Sequence, residues 1–237
     1  MTVASEIQRI EGNISAAYTA ADAKGATMPA TENSDNLATC ISSIPAGGGS
    51  GKYQLLERIK DDSNNEIGTV SGFFTDANDV EYAVVCLDAD KRTTGAFVSA
   101  SGEVTNLPLY ITSDLYSTTE TATYNTQTIL DYCTAKGYTS TACTRCRNNS
   151  FIIDGVTHYG QLPNIVELVD IYRNRVQINL KDTSGGNKII SNNLTPLSSN
   201  QNGSTDAWML SGTGNIGGYY AISSSYDVIP VLELPNS

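Results

Sequence analysis

The sequence predicts an α+β fold set behind a separate helical leader. Three observations carry this: helical periodicity in residues 1–46, a Gly/Ser run at 47–51, and strand-like segments on either side of two helical patterns beyond it. Strands, then helices, then strands again fit an α+β domain better than alternating βαβ units. The expected organisation is a helical stalk or docking segment (1–46), a flexible hinge (47–51) and one ligand-binding domain (52–237).

In the leader, Ser5 and Gln8 have the spacing of a capping box. Ile7, Ile10, Ile14, Ala17 and Ala21 then recur three and four residues apart, which is a heptad seam. Isoleucine at both core positions of such a seam favours a homotrimer over a dimer. The alternative is one amphipathic helix packed on its own chain, and the polar Lys24 at the next seam position weakens the trimer reading. A second helix is expected over Ser34–Ser43, with Leu37, Ile41 and Ile44 on one face. Pro45 ends it.

Beyond the hinge, strands are expected at Tyr53–Ile59, Glu66–Phe74, Val80–Leu87 and Gly95–Ala100. Thr75–Asp79 supplies the turn between the second and third. A helix is expected over Thr126–Lys136, capped by Asn125 and stopped by Gly137. Another follows Pro163, with Ile165, Leu168, Val169, Tyr172 and Val176 inward and Glu167, Asp170, Arg173 and Arg175 toward solvent. Short strands close the chain near Ala207–Leu210, Tyr219–Ile222 and Val228–Leu234.

The net charge of −11 excludes several partners. Nucleic acid or an anionic membrane surface would need clustered Lys and Arg, yet none occurs from Ile189 to Ser237. Residues 1–6 lack the basic and apolar regions of a signal peptide, and no apolar run approaches a membrane span. The expectation is synthesis in a bacterial cytoplasm, with no membrane insertion. The five cysteines are odd in number and scattered, unlike a disulfide framework.

Two stretches resemble known families. Residues 7–10, 20–29 and 33–39 resemble the leaders of tail proteins in phages of Firmicutes and gut bacteria. The run Gly160-Gln161-Leu162-Pro163-Asn164-Ile165-Val166-Glu167-Leu168, then Ser198-Ser199, Ala207-Trp208 and Val228-Ile229-Pro230-Val231, resembles the C-type-lectin-fold domain of variable proteins of diversity-generating retroelements and related phage adhesins. The resemblance implies a C-type-lectin-like scaffold in which the Leu-Pro helix and the Trp208 strand are structural. It also implies ligand contacts from the loops between Ser198 and the closing Val-Ile-Pro-Val strand, the segment that codon mutagenesis diversifies in some relatives.

The residues of that late segment suit contact. Tyrosine offers broad amphipathic area at low entropy cost, and Ser, Gly and Asn give adaptable hydrogen bonds. Ordinary solvated loops have the same composition for turn reasons alone. The candidate ligand-binding residues are Asn200, Asn202, Ser204, Thr205, Asp206, Met209, Asn215, Tyr219, Tyr220, Ser223, Ser224 and Tyr226. Trp208 reads as core.

Other chemistry finds little footing. Cys143-Thr144-Arg145-Cys146 needs two further ligands to hold zinc, for which Cys133 and His158 are the candidates, but the spacing matches no familiar finger. Buried free thiols are the simpler reading. Asp61-Asp62 and Asp88 with Asp90 are the carboxylate pairs that a glycan hydrolase would need. Asp76, Asn78 and Asp79 form part of a calcium loop without its terminal glutamate. The sequence therefore points to a non-enzymatic phage tail or fibre adhesin in the virion. It would need no metal or cofactor and would bind a bacterial surface protein or glycan alongside other tail proteins. The alternatives are a purely structural tail subunit and a surface-glycan hydrolase.

Overall fold

The computed structural model describes residues 3–22, 26–43, 51–107, 109, 118–184 and 194–236. Ile44, the Gly/Ser run at 47–50, the start of the late segment and the Tyr219 side chain lie outside that set. The chain divides into two compact units, 1–55 with 237, and 56–236.

The first unit holds α1 (Val3–Asp22) and α2 (Ser34–Ser42). Ser5 lies within α1, so the expected capping box does not start the helix. Tyr18 is fully buried with Ala21, Ala26 and Cys40, and Ile14, Met28 and Leu37 pack around them. A buried phenol needs a partner, and Tyr18 Oη donates to the Asn33 carbonyl at 2.8 Å. Asn33 in turn caps α2, its Oδ1 accepting from the Asn36 N–H. Only the later part of the isoleucine seam is used inside the chain: Ile7 and Ile10 are each about half exposed.

The second unit is a mixed α+β fold. A four-stranded antiparallel sheet has the order β1 (Arg58–Lys60), β2 (Glu66–Thr75), β3 (Glu81–Leu87), β11 (Val231–Pro235). The β2–β3 turn forms at 76–80 as expected, with Asp76 accepting from the Asn78 and Val80 N–H groups. The strand expected at 53–59 shrinks to β1, fixed by a bidentate pair from Arg58 to Asp88 at 2.6 and 2.7 Å.

After β4 (Thr93–Ala96) come α3 (Ala122–Lys136) and α4 (Thr141–Arg147). The hairpin β5 (Ser150–Ile153) and β6 (Val156–Tyr159) precedes α5 (Ile165–Lys181). A second, three-stranded sheet has the order β7 (Leu197–Asn202), β8 (Asp206–Leu210), β9 (Ile216–Ala221), and β10 (Ser225–Val228) pairs with β4. Neither α4 nor the β5–β6 hairpin is anticipated by hydrophobic periodicity.

Strand β8 separates two cores because its side chains alternate. Trp208 and Leu210 join Leu168, Ile171 and Ile178 of α5 and Val84 and Val231 of the larger sheet. Ala207 and Met209 join Ile129, Cys133, Cys143 and Cys146 of α3 and α4. The inward stripe of α5 runs through Ile171 and Ile178, whereas Val176 is 59% exposed, contrary to the expected stripe. At its middle, β2 bulges at Gly72, where a Cβ would fall 2.7 Å from Asp170 Oδ2, and Asn174 Nδ2 takes up the Ser71 carbonyl. The bulge lets α5 lie close against the sheet.

The start of α3 and the burial of Glu167 in α5 differ from expectation. Helix α3 begins four residues before Thr126, capped by Thr121, because Glu233 of β11 accepts the Ala122 and Thr123 N–H groups at 2.7 and 2.8 Å. Asn125, the expected cap, is buried inside and donates to Ser199 Oγ. Glu167, expected in solvent, is buried and completes a capping box with Asn164. Its Oε2 accepts the Asn164 N–H at 2.7 Å, and its buried Oε1 has no hydrogen-bond partner among the described residues.

Burial first, then the neighbouring Glu233 charge, pushes the Glu167 carboxyl well above its usual value of 4.5. The folded chain keeps a proton that the unfolded chain releases, so this contribution is intact below pH 4.5 and is lost as pH rises above it. Glu167→Gln, which keeps a donor but cannot titrate, should flatten the decline in urea-unfolding stability above that pH. An unchanged slope in the variant would show that the buried Glu167 carboxyl does not titrate above its usual range.

Candidate binding face

Three loops converge at one end of the second unit. The β7–β8 turn (203–205), the β9–β10 turn (222–224) and the segment 98–104 are tied by main-chain atoms. The Ile222 N–H donates to the Thr205 carbonyl at 2.9 Å, the Gly102 N–H to the Ser204 carbonyl at 2.8 Å, and the Val98 N–H to the Ile222 carbonyl at 3.0 Å. Gln201, fully buried beneath them, accepts the Val104 N–H and donates to the Gly102 and Gly203 carbonyls. The loops are thus held from below, and Ser99, Ser101, Glu103, Ser204, Thr205, Ser223 and Ser224 are exposed above.

Of the sequence candidates, Ser204, Thr205, Asp206, Ser223 and Ser224 come together here, joined by Asn202, which is half-buried and bonded to the Gly218 carbonyl. Tyr220 and Tyr226 are half-buried and meet edge-to-face, with ring centroids 5.8 Å apart, so they bridge β9 and β10. Their rings rest on the α3/α4 core.

Three candidates fall elsewhere. Asn200 is fully buried in β7, and its Oδ1 accepts the Ile165 N–H at 2.7 Å, satisfying a donor at the start of α5. Met209 is fully buried on the inner side of β8. Neither can touch a ligand, because the late segment begins as a core strand. Asn215 is exposed but lies in the β8–β9 turn, where it closes on Ser211, at the opposite end of the sheet.

Sequence reasoning missed a groove of about 510 Å³ along α3, lined by Tyr124, Thr128, Asp131 and Tyr132 of the helix and by Thr105 and Asn106. Tyr124 Oη donates to the Asn106 carbonyl at 3.2 Å. Tyr132 Oη comes within 2.7 Å of where a Gly102 side chain would start, so the groove is continuous with the loop end. The signal is the polar and aromatic face of α3, with Tyr124, Thr128, Asp131 and Tyr132 at helical spacing.

The remaining candidates serve structure. Cys133, Cys143 and Cys146 are buried together in the α3/α4 core, where desolvation pushes Cys133 to about 11 and Cys143 to about 12. His158 lies apart, on β6. Among the described residues no group of three His, Cys, Asp or Glu could hold a metal. Asp61 closes its own turn, Asp62 accepts the Asp154 and Gly155 N–H groups of the β5–β6 hairpin, Asp88 pairs with Arg58 and Asp90 with Lys91.

No family model matches the chain, and no curated protein matches it. Among solved structures, a fimbrial protein from Bacteroides ovatus ATCC 8483 is similar in fold, with a TM-score of 0.54 at 12% identity. The alignment covers 76% of this chain and 48% of that one, so this chain spans about half the length of its neighbour.

Two measurements check the site assignment. Asn200→Ala should destabilise folding by about 1–3 kcal/mol through the orphaned Ile165 N–H, whereas Ser204→Ala and Ser223→Ala should stay within about 0.5 kcal/mol. A thiol reagent should leave Cys133, Cys143 and Cys146 unmodified in the native chain and label them on unfolding. Rapid native labelling would contradict the packing.

Proposed function

We propose that this chain is a receptor-binding component of a phage tail or fibre, whose three-loop end contacts a bacterial surface protein or glycan. The observation that carries the reading is the division of labour at that end. Main-chain hydrogen bonds fix the loops, while hydroxyl side chains and two braced tyrosines form the outer surface. Such a surface binds by adaptable hydrogen bonds around rigid aromatic anchors.

Further support is indirect. The leader resembles those of phage tail proteins, and the order of motifs after residue 160 resembles C-type-lectin-fold variable proteins. The similar fold of a protein described as fimbrial fits a part in a surface appendage. The first unit, with its exposed Ile7 and Ile10, would attach the module to other tail proteins and trimerise it, so that weak single contacts add up. A non-catalytic role, in the virion and without metal or cofactor, belongs to the same proposal. The carboxylates that a glycan hydrolase would need are held in turns and ion pairs. Whether or not a retroelement diversifies the 202–226 loops, the scaffold suits it.

Thr205→Arg combined with Ser224→Arg should reduce adsorption to susceptible Firmicutes or Bacteroides cells by about tenfold or more, one lost contact of about 1.4 kcal/mol sufficing. Melting temperature and oligomeric state should not change. If adsorption persists while assembly fails, the chain is a structural subunit instead.

A further inference from the structure

The groove along α3 has a continuation. A further hollow of about 260 Å³ opens at the start of the helix, between Thr121 and the β2–β3 turn at Asp76 and Asn78. Tyr124 lines both the groove and this hollow, and it is 47% exposed. Its Oη is held by the Asn106 carbonyl, so the ring stands fixed where the two meet. Tyr124, Thr128, Tyr132 and Lys136 follow one another at four-residue spacing on one face of the helix. At 1.5 Å per residue, the 15 residues of α3 make this track about 22 Å long. It runs from the β2–β3 turn to Gly102 at the three-loop end.

The long wall of the track is a helix, and its main-chain N–H and C=O groups are bonded within it. An extended peptide would find no open strand edge there on which to pair its own main chain. What the wall offers is side chains. Asp131 is exposed, and only its Oδ1 is engaged, accepting from Gln127 Nε2 at 2.8 Å. Thr128 adds a hydroxyl between the two tyrosine rings. Sugar hydroxyls give and accept hydrogen bonds to such groups, and the apolar face of a sugar ring can cover an exposed aromatic ring. Asp76 and Glu120 line one end of the track, Asp131 the middle and Lys136 the other end. Three carboxylates against one ammonium, in a chain of net charge −11, disfavour a phosphate- or uronate-bearing polymer.

We infer that this track is an extended binding site for a neutral, linear oligosaccharide, which lies along α3 across the Tyr124 ring. The inference rests on the receptor-binding reading and narrows the receptor to a glycan. The track holds successive sugar units whether or not the three loops also touch the receptor. Because a single unit fills only part of it, affinity depends on chain length.

The test uses the full chain and saturation-transfer NMR with the disaccharides and hexasaccharides of glucose, mannose and N-acetylglucosamine. Hexagalacturonate serves as the anionic control and a Gly/Ser/Thr decapeptide as the peptide control. At least one neutral hexasaccharide should bind, about tenfold more tightly than its disaccharide. Tyr124→Ala and Thr128→Arg, which removes the ring or fills the groove, should each weaken that binding by about tenfold, with folding verified by circular dichroism. The Thr205→Arg/Ser224→Arg variant should bind the hexasaccharide as the parent does, even where it no longer adsorbs to cells. The proposal is overturned if no neutral hexasaccharide binds, if the disaccharide binds as tightly, or if either control binds in preference. Normal binding by both track variants would overturn it too, as would a loss confined to the loop variant, which places the sugar at the loop end. Hexasaccharide bound at the track, with cell adsorption unaffected by the loop variant, would count against the loop-end reading alone.

Discussion

The segment Gly160–Ile165 is the joint on which the second unit depends. Its main chain bonds to β11 through Gln161 and Val231, to α3 through the Leu162 N–H on Thr126 Oγ1, and to β7 through Pro163, Ser199 and Asn200. Gly160 admits no side chain, since a Cβ would fall 2.4 Å from the Cys146 carbonyl at the end of α4. An extended segment cannot bond its own polar groups, and here successive main-chain groups find partners on β11, α3 and β7. Both sheets and three helices thereby share one anchor, which gives a physical reason for the Gly-Gln-Leu-Pro-Asn order.

The carboxyl pair beside the joint acts on the same elements. Glu233 closes the N-terminus of α3 and Glu167 that of α5, where helix dipoles favour negative charge. Burial and the neighbouring Glu233 charge both favour the protonated form of the Glu167 carboxyl. The placement of α3 is therefore coupled to β11.

Much of the fold was legible in the sequence. The β2–β3 hairpin follows from its β-branched and aromatic residues and the Asp76 turn, and α5 from Pro163 and the apolar stripe behind it. The polar residues were harder to place. Glu167, Asn125 and Asn200 look like surface residues in sequence, but each is buried because a partner distant in the chain satisfies it. Long-range pairing of this kind leaves no local pattern. The β5–β6 hairpin did leave one: Asp154-Gly155, both at positive φ, is a favoured two-residue turn. Its strands are too short to register as an alternating pattern. Of the candidate contact residues, those in the β7–β8 and β9–β10 turns come together at one end and Asn215 lies in a turn at the other, while Asn200 and Met209 are buried because composition does not reveal where a loop gives way to a strand.

The way the three loops are fastened bears on how such a protein can change over generations. Because the ties at Ser204, Thr205 and Ile222 run through peptide groups that every residue type carries, apart from the N–H that proline lacks, a new side chain at 204, 205, 223 or 224 leaves the fastening intact. Specificity can then drift by single replacements, each foldable in its own right, while the interior stays constant.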